Sequence, residues 1–329
     1  MDQGARFPRV GAKRGHYESF YIKACEPGGG RGIWIRHTVH KRPGAEPSAS
    51  IWFVFFDRGA DGPRATKVTV PAAELSVPAG SWIRVGDAEV GPRRAEGSID
   101  TEALSAAWSF NFDGDDNPCK YLPADWLYAA PLPRTKFVAP WPNARFEGRL
   151  ELDEDTIELS GWPGMIGHNW GSEHAERWVW LEGTGFEHSP GTYFDAGAAR
   201  VKLGRRTSPW IPSGMLMLDG VPHRLGGLGE IRAAKIDEEP AVCSFVLPGK
   251  DIVVHGRVSA PVKDFVGWVY ADPAGPEHNT VNCSVADLEL TVEQPGLPPR
   301  ELNLPGGGAY ELGMRENDHG IPVQPYPDG

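Results

Sequence analysis

The chain has 329 residues, room for about two domains of ordinary size. Its 41 glycines and 31 prolines make up 22% of it, which excludes a mostly helical protein, while 40% hydrophobic and 10% aromatic residues exclude a disordered one. A net charge of −11 argues against nucleic acid or an anionic membrane surface as the main partner.

Short alternating runs separated by turn residues dominate the chain. Strands are predicted at Tyr17 to Ala24, Gly32 to Lys41, Ile51 to Asp57, Thr66 to Val70, Trp108 to Phe112, Arg145 to Leu152 and Thr156 to Leu159. Beyond these come Arg177 to Gly183, Thr192 to Leu203, Gly214 to Leu218, Ile231 to Lys235, Val242 to Leu247, Ile252 to Ser259, Phe265 to Tyr270 and Thr280 to Leu290. Helical pattern is confined to Pro71 to Leu75 and Pro123 to Ala130. Pro131 to Pro142 reads as a long crossover and Pro305 to Gly329 as a loosely wrapped tail. The fold class is all-β, and so many strands divide most naturally into two barrels, residues 1–175 and 176–329.

Several functions find no support. No apolar run approaches the length of a membrane span, and the first thirty residues lack a secretory core, so stable membrane insertion is not expected and a cytoplasmic location is. Cys25, Cys119, Cys243 and Cys283 lie far apart and read as reduced core thiols. The acidic run from Asp113 to Pro118 lacks the glycine and glutamate of a calcium loop, and Gly226 to Gly229 lacks the residues of a phosphate loop. A nucleophile elbow is missing, and His168 and His174 are six apart, so neither a metal nor another cofactor is indicated.

Tryptophan is the exception. Six of the twelve fall between Trp126 and Trp180, and three of ten histidines fall between His168 and His188. On extended backbone, His168 and Trp170 share a face, as do Trp178 and Trp180, and Tyr193 and Asp195. Each pair alone is compatible with core filling or a satisfied hydrogen bond. Together, and flanked by glycines, they suggest a lined pocket.

The Gly164 to Gly171 segment (G-x-x-G-H-N-W-G), the W-x-W at Trp178 to Trp180 and the Y-x-D at Tyr193 to Asp195 resemble the carotenoid 1,2-hydratase family. That family is also called hydroxyneurosporene synthase-like, and is related to tocopherol cyclases and some lipocalin-type Diels–Alderases. Tyr17 to Tyr21 resembles its aromatic opening strand. The resemblance implies two tandem lipocalin-like β-barrels with an apolar cavity near their junction, and His168, Trp170, Tyr193 and Asp195 as active-site residues.

These residue types suit acid addition to an alkene. Asp195 in a dry aromatic pocket stays protonated and supplies the proton. The faces of Trp170 and Tyr193 stabilise the cation, and His168 orients Asp195 or deprotonates water. Trp178, Trp180, Asn169, Tyr17, Glu18 and His37 are further candidates for contact with substrate. Arg36 alternates to the face opposite His37 and is left out of the expected site on that ground. The acidic surface, without an amphipathic anchor helix, favours a terpenoid, polyketide or lipid-like molecule smaller than a carotenoid. The expected activity is that of a hydratase or cyclase; a non-catalytic carrier of a hydrophobic ligand and a pericyclase working by confinement are the alternatives.

Overall fold

The computed structural model describes residues 3–115 and 117–326, so Asp116 of the acidic run lies outside them. The protein is all-β: the helical segments among the described residues are short 3-10 turns, of which the four-residue Asp125–Tyr128 and Ala72–Glu74 occupy the two stretches with helical pattern. No helix there is long and apolar enough to cross a membrane.

Two large antiparallel sheets are each curled around a core of their own. The first runs from Arg64–Pro71 through Ser48–Asp57, Arg31–Lys41, His16–Cys25, Asp155–Gly171 and Thr135–Leu152 to Ser105–Asp115 and four shorter strands. The second centres on Arg177–Thr184, flanked by Tyr193–Arg200 on one side and by Arg300–Met314 and Glu277–Glu293 on the other. The chain passes between them over residues 172–176. These are the two barrel-like halves that the turn chemistry of so much glycine and proline implies.

Three stretches depart from the sequence expectation. Pro140 and Pro142 lie inside the strand Thr135–Leu152, not in a crossover, and the ladder shifts register around them between Val138 and Ala144. A proline withdraws one ladder donor, and an irregular pairing accommodates that loss. The expected strand at Ile231 to Lys235 begins at Lys235 instead and runs to Glu239. The tail expected from Pro305 begins inside Arg300–Met314, a central strand. Its Pro305-Gly306-Gly307-Gly308 looks like linker, yet Gly306 sits at φ +63° and presses on the Gly29–Gly30 turn of the first barrel, where a side chain would collide.

Which face of each strand meets which neighbour decides the rest. In His16–Cys25, Phe20, Ile22 and Ala24 point into the first barrel among Ile33, Ile35 and Trp82. Tyr17, Ser19, Tyr21, Lys23 and Cys25 point the other way. All are buried, because the second sheet covers that face.

Candidate functional site

Between the two sheets lies a cavity of about 200 Å³. The first sheet contributes Tyr21, Trp34, Arg36 and Asn169, and the second Trp178, Trp180, Tyr270 and Glu311, with Tyr121 and Phe137 alongside. The aromatic walls lie flat because the neighbouring strands carry glycine. A Cβ on Gly167 would come within 2.0 Å of the Tyr21 ring, and one on Gly313 within 2.2 Å of Trp178.

Asp195 lies beside this cavity, fully buried behind two of its lining residues. Trp180 Nε1 donates to its Oδ1 at 3.0 Å, and the Tyr121 phenol stands against the same carboxyl. Burial is the largest influence and raises its pKa to about 7; the neighbouring Tyr121 phenol and the Trp180 hydrogen bond only partly oppose it. The carboxyl therefore keeps its proton well above the usual carboxylate range and is largely neutral below about pH 7. Tyr193, two residues earlier on the same face, is buried but does not line the cavity.

His174, which is not among the site residues expected from the sequence, also lines the cavity. Its Nδ1 lies 2.7 Å from Asp272 Oδ1, and its backbone N–H donates to the same oxygen at 2.6 Å. Tyr17 stacks on the ring at 3.9 Å and Trp178 at 5.6 Å, while Nε2 is buried without a partner. Burial lowers the His174 pKa against the opposing pull of Asp272, so the ring is neutral. His278 Nε2 lies 3.2 Å from the second Asp272 oxygen. The ligand atoms of His174, Asp272 and His278 fall within 4.8 Å of one another, a spacing a divalent cation could bridge. Against a metal centre, the outer nitrogens of both imidazoles have no partner, whereas metal-bound histidines are held from behind. The arrangement is that of a histidine oriented by a carboxylate.

The remaining expected residues divide by face. Asn169, Trp178 and Trp180 line the cavity, and Tyr17 backs His174. Glu18, His37, His168 and Trp170 point into the first barrel or its mouth, so His168 does not orient Asp195. His168 Nε2 contacts Glu18 Oε1 at 2.7 Å, and its ring stacks on Phe20 and Trp170. His37 stands opposite Phe20 in the same barrel, and burial lowers its pKa to about 3.

Glu18 has a structural task. Its carboxylate accepts from the backbone N–H groups of Arg6 and Phe7 at 2.7 and 2.8 Å and is flanked by His16 and His168. Burial alone would raise its pKa, but those two histidines outweigh it and bring it to about 2. Glu18→Gln should cost about 3–5 kcal/mol in urea unfolding and expose residues 3–10 to protease, while turnover per folded molecule stays unchanged. The stability Glu18 contributes is present above its ordinary 4.5 and fades as pH falls toward 2.

No family model matches the chain. Uncharacterized protein Rv0493c of Mycobacterium tuberculosis is 24% identical over 325 residues, covering 95% of this chain and 91% of its own. Among solved structures, a Nitrosomonas europaea protein provisionally called AttH superposes with a TM-score of 0.57 at 14% identity, over 96% of both chains. Kievitone hydratase of Nectria haematococca superposes at 0.52 and 10% identity, over 91% of this chain and 88% of that one. CghA, solved with Sch210972, does so at 0.54 and 11%, over 92% and 88%. At these identities the likeness is one of fold, and it spans both barrels.

Proposed function

We propose that the protein is a hydratase or cyclase that adds water, or an internal hydroxyl, across an alkene of a hydrophobic small molecule held between the two barrels. The observation that carries this reading is a buried carboxyl that keeps its proton up to about pH 7, beside an aromatic cavity. The likeness of the H-N-W-G, W-x-W and Y-x-D segments to carotenoid 1,2-hydratases supports it, as does the shared fold of kievitone hydratase.

Asp195 is the proton store, and Tyr121, which touches both the carboxyl and the cavity, is the group that faces substrate. As the phenol gives its proton to one alkene carbon, it takes the Asp195 proton, so no phenolate accumulates. The cation formed at the other carbon meets the faces of Trp178, Trp180 and Tyr21, each worth roughly 1–2 kcal/mol in a dry site. His174 Nε2 accepts a proton from water as the water oxygen bonds to that carbon, and Asp272 stabilises the imidazolium. A cyclase follows the same steps with a substrate hydroxyl in place of water.

The test is incubation with trisubstituted alkenes in water enriched in oxygen-18. Hydration appears as an alcohol carrying the heavy oxygen, and cyclisation as an isomer without it. A protein that returns every alkene unchanged, while binding it, is a carrier.

A further inference from the structure

Arg36 is the one lining residue of the cavity that carries a fixed positive charge, and it is 5% exposed. Guanidinium does not lose its proton in proteins, so this charge is buried outright. Among the described residues no carboxylate lies within ion-pair distance of it. Nη2 donates to Ser19 Oγ at 2.8 Å, and that hydroxyl donates to Asn169 Oδ1 at 2.5 Å. The guanidinium lies over the Tyr270 ring at 4.1 Å, with Trp52 and Trp34 further off. Nη1 is buried and has no partner. Glu311, a carboxylate that also lines the cavity, is occupied by Trp178 Nε1, the Tyr270 hydroxyl and Asn282.

We infer that Arg36 is the anchor for a carboxylate on the substrate, so that the molecule taken up is an unsaturated organic acid and not a neutral hydrocarbon or alcohol. Aromatic rings and a Ser19–Asn169 relay fix the guanidinium in the cavity wall, yet leave its charge without a counter-ion and one of its donors without a partner. Burying a charge without a counter-ion is costly, and a bound carboxylate removes that cost. The inference deepens the hydratase or cyclase reading and rests on it for the alkene. A bare guanidinium on the cavity wall would oppose a carbocation there, whereas a guanidinium neutralised by the substrate's own carboxylate would not.

The experiment is a binding one and needs no turnover. Quenching of tryptophan fluorescence is titrated with citronellic acid and with citronellol, which share one branched, singly unsaturated skeleton, and then with a series of medium-chain unsaturated acids paired with their alcohols. The acids should bind the wild-type protein about ten to a hundred times more tightly than their alcohols. Arg36→Met should remove the preference while leaving the alcohols within a few fold, and Arg36→Lys should keep part of it. The wild-type comparison stands even if Arg36→Met does not fold. Equal affinity for acid and alcohol, a preference that survives in Arg36→Met, or no saturable binding by any acid of the series each overturns the inference. Because the readout is affinity alone, a failure here leaves the hydratase or cyclase reading standing for neutral substrates, and a lack of turnover leaves the acid site standing.

Discussion

Asp195→Asn should reduce turnover by a factor of about 10² to 10⁴ and leave ligand affinity within a few fold. The amide keeps the shape of the side chain and can still accept from Trp180 Nε1, but it has no acidic proton to give. The wild-type rate should fall as pH rises through about 7, since the proposed mechanism uses the neutral carboxyl. Stability supplies a second readout with its own sign. In the unfolded chain Asp195 ionises near its ordinary 3.8, whereas in the folded protein it keeps its proton to about 7. Across that window the native state holds a proton the unfolded state has released, so stability declines with rising pH, by about 4 kcal/mol in all. Asparagine has no such dependence. The variant should therefore gain on the wild type in urea midpoint between about pH 4.5 and about pH 8. Equal differences at the two pH values would falsify the buried neutral acid, and full activity in the variant would remove Asp195 from the mechanism.

Much of this was legible in the sequence, for identifiable reasons. Alternation and turn chemistry revealed the all-β class, and the i,i+2 rule correctly paired Trp178 with Trp180, both of which line the cavity. The same rule could not say which face of the first sheet meets the second. In Arg31–Lys41, Ile33, Ile35, His37 and Val39 looked like the face of interest because they are apolar, and they fill the first barrel. The cavity lies on the opposite face, where Trp34 and Arg36 stand. A polar residue on the back of a strand ordinarily meets solvent; here a second sheet covers it, which periodicity within one strand does not report. The same parity separates Glu18 from Tyr17 and Tyr21, and His168 from Asn169.

Asp272 was illegible for another reason. It sits just past the strand Val266–Ala271, nearly a hundred residues from His174, and only the packing of the two segments brings them to 2.7 Å. One clue is present: His174 lies three residues after the H-N-W-G segment and four before the W-x-W pair. The spacing of His174 from His168 bears on metal ligation and carries no sign of a carboxylate partner 98 residues away.

The same covered face carries an expected effect on stability as large as that of Glu18. Lys23 of the first sheet and Glu182 of the second form an ion pair at 2.8 Å with neither side chain exposed, and Lys23 Nζ also donates to Gly307 O at 2.5 Å. Burial pushes the Glu182 carboxyl up, and Lys23 pulls against it. Removing one partner strands the other in a dry interface, so Lys23→Met or Glu182→Leu alone should cost about 3–5 kcal/mol in urea unfolding. Removing both leaves no charge to strand, and the double variant should recover most of that loss. The contrast separates a pair that holds the sheets together by attraction from one that fixes how they dock. If the double variant is as stable as the wild type but binds citronellic acid more weakly, the pair sets the orientation of the two barrels, and with it the shape of the cavity between them. If it is as unstable as either single variant, the attraction itself holds the sheets together.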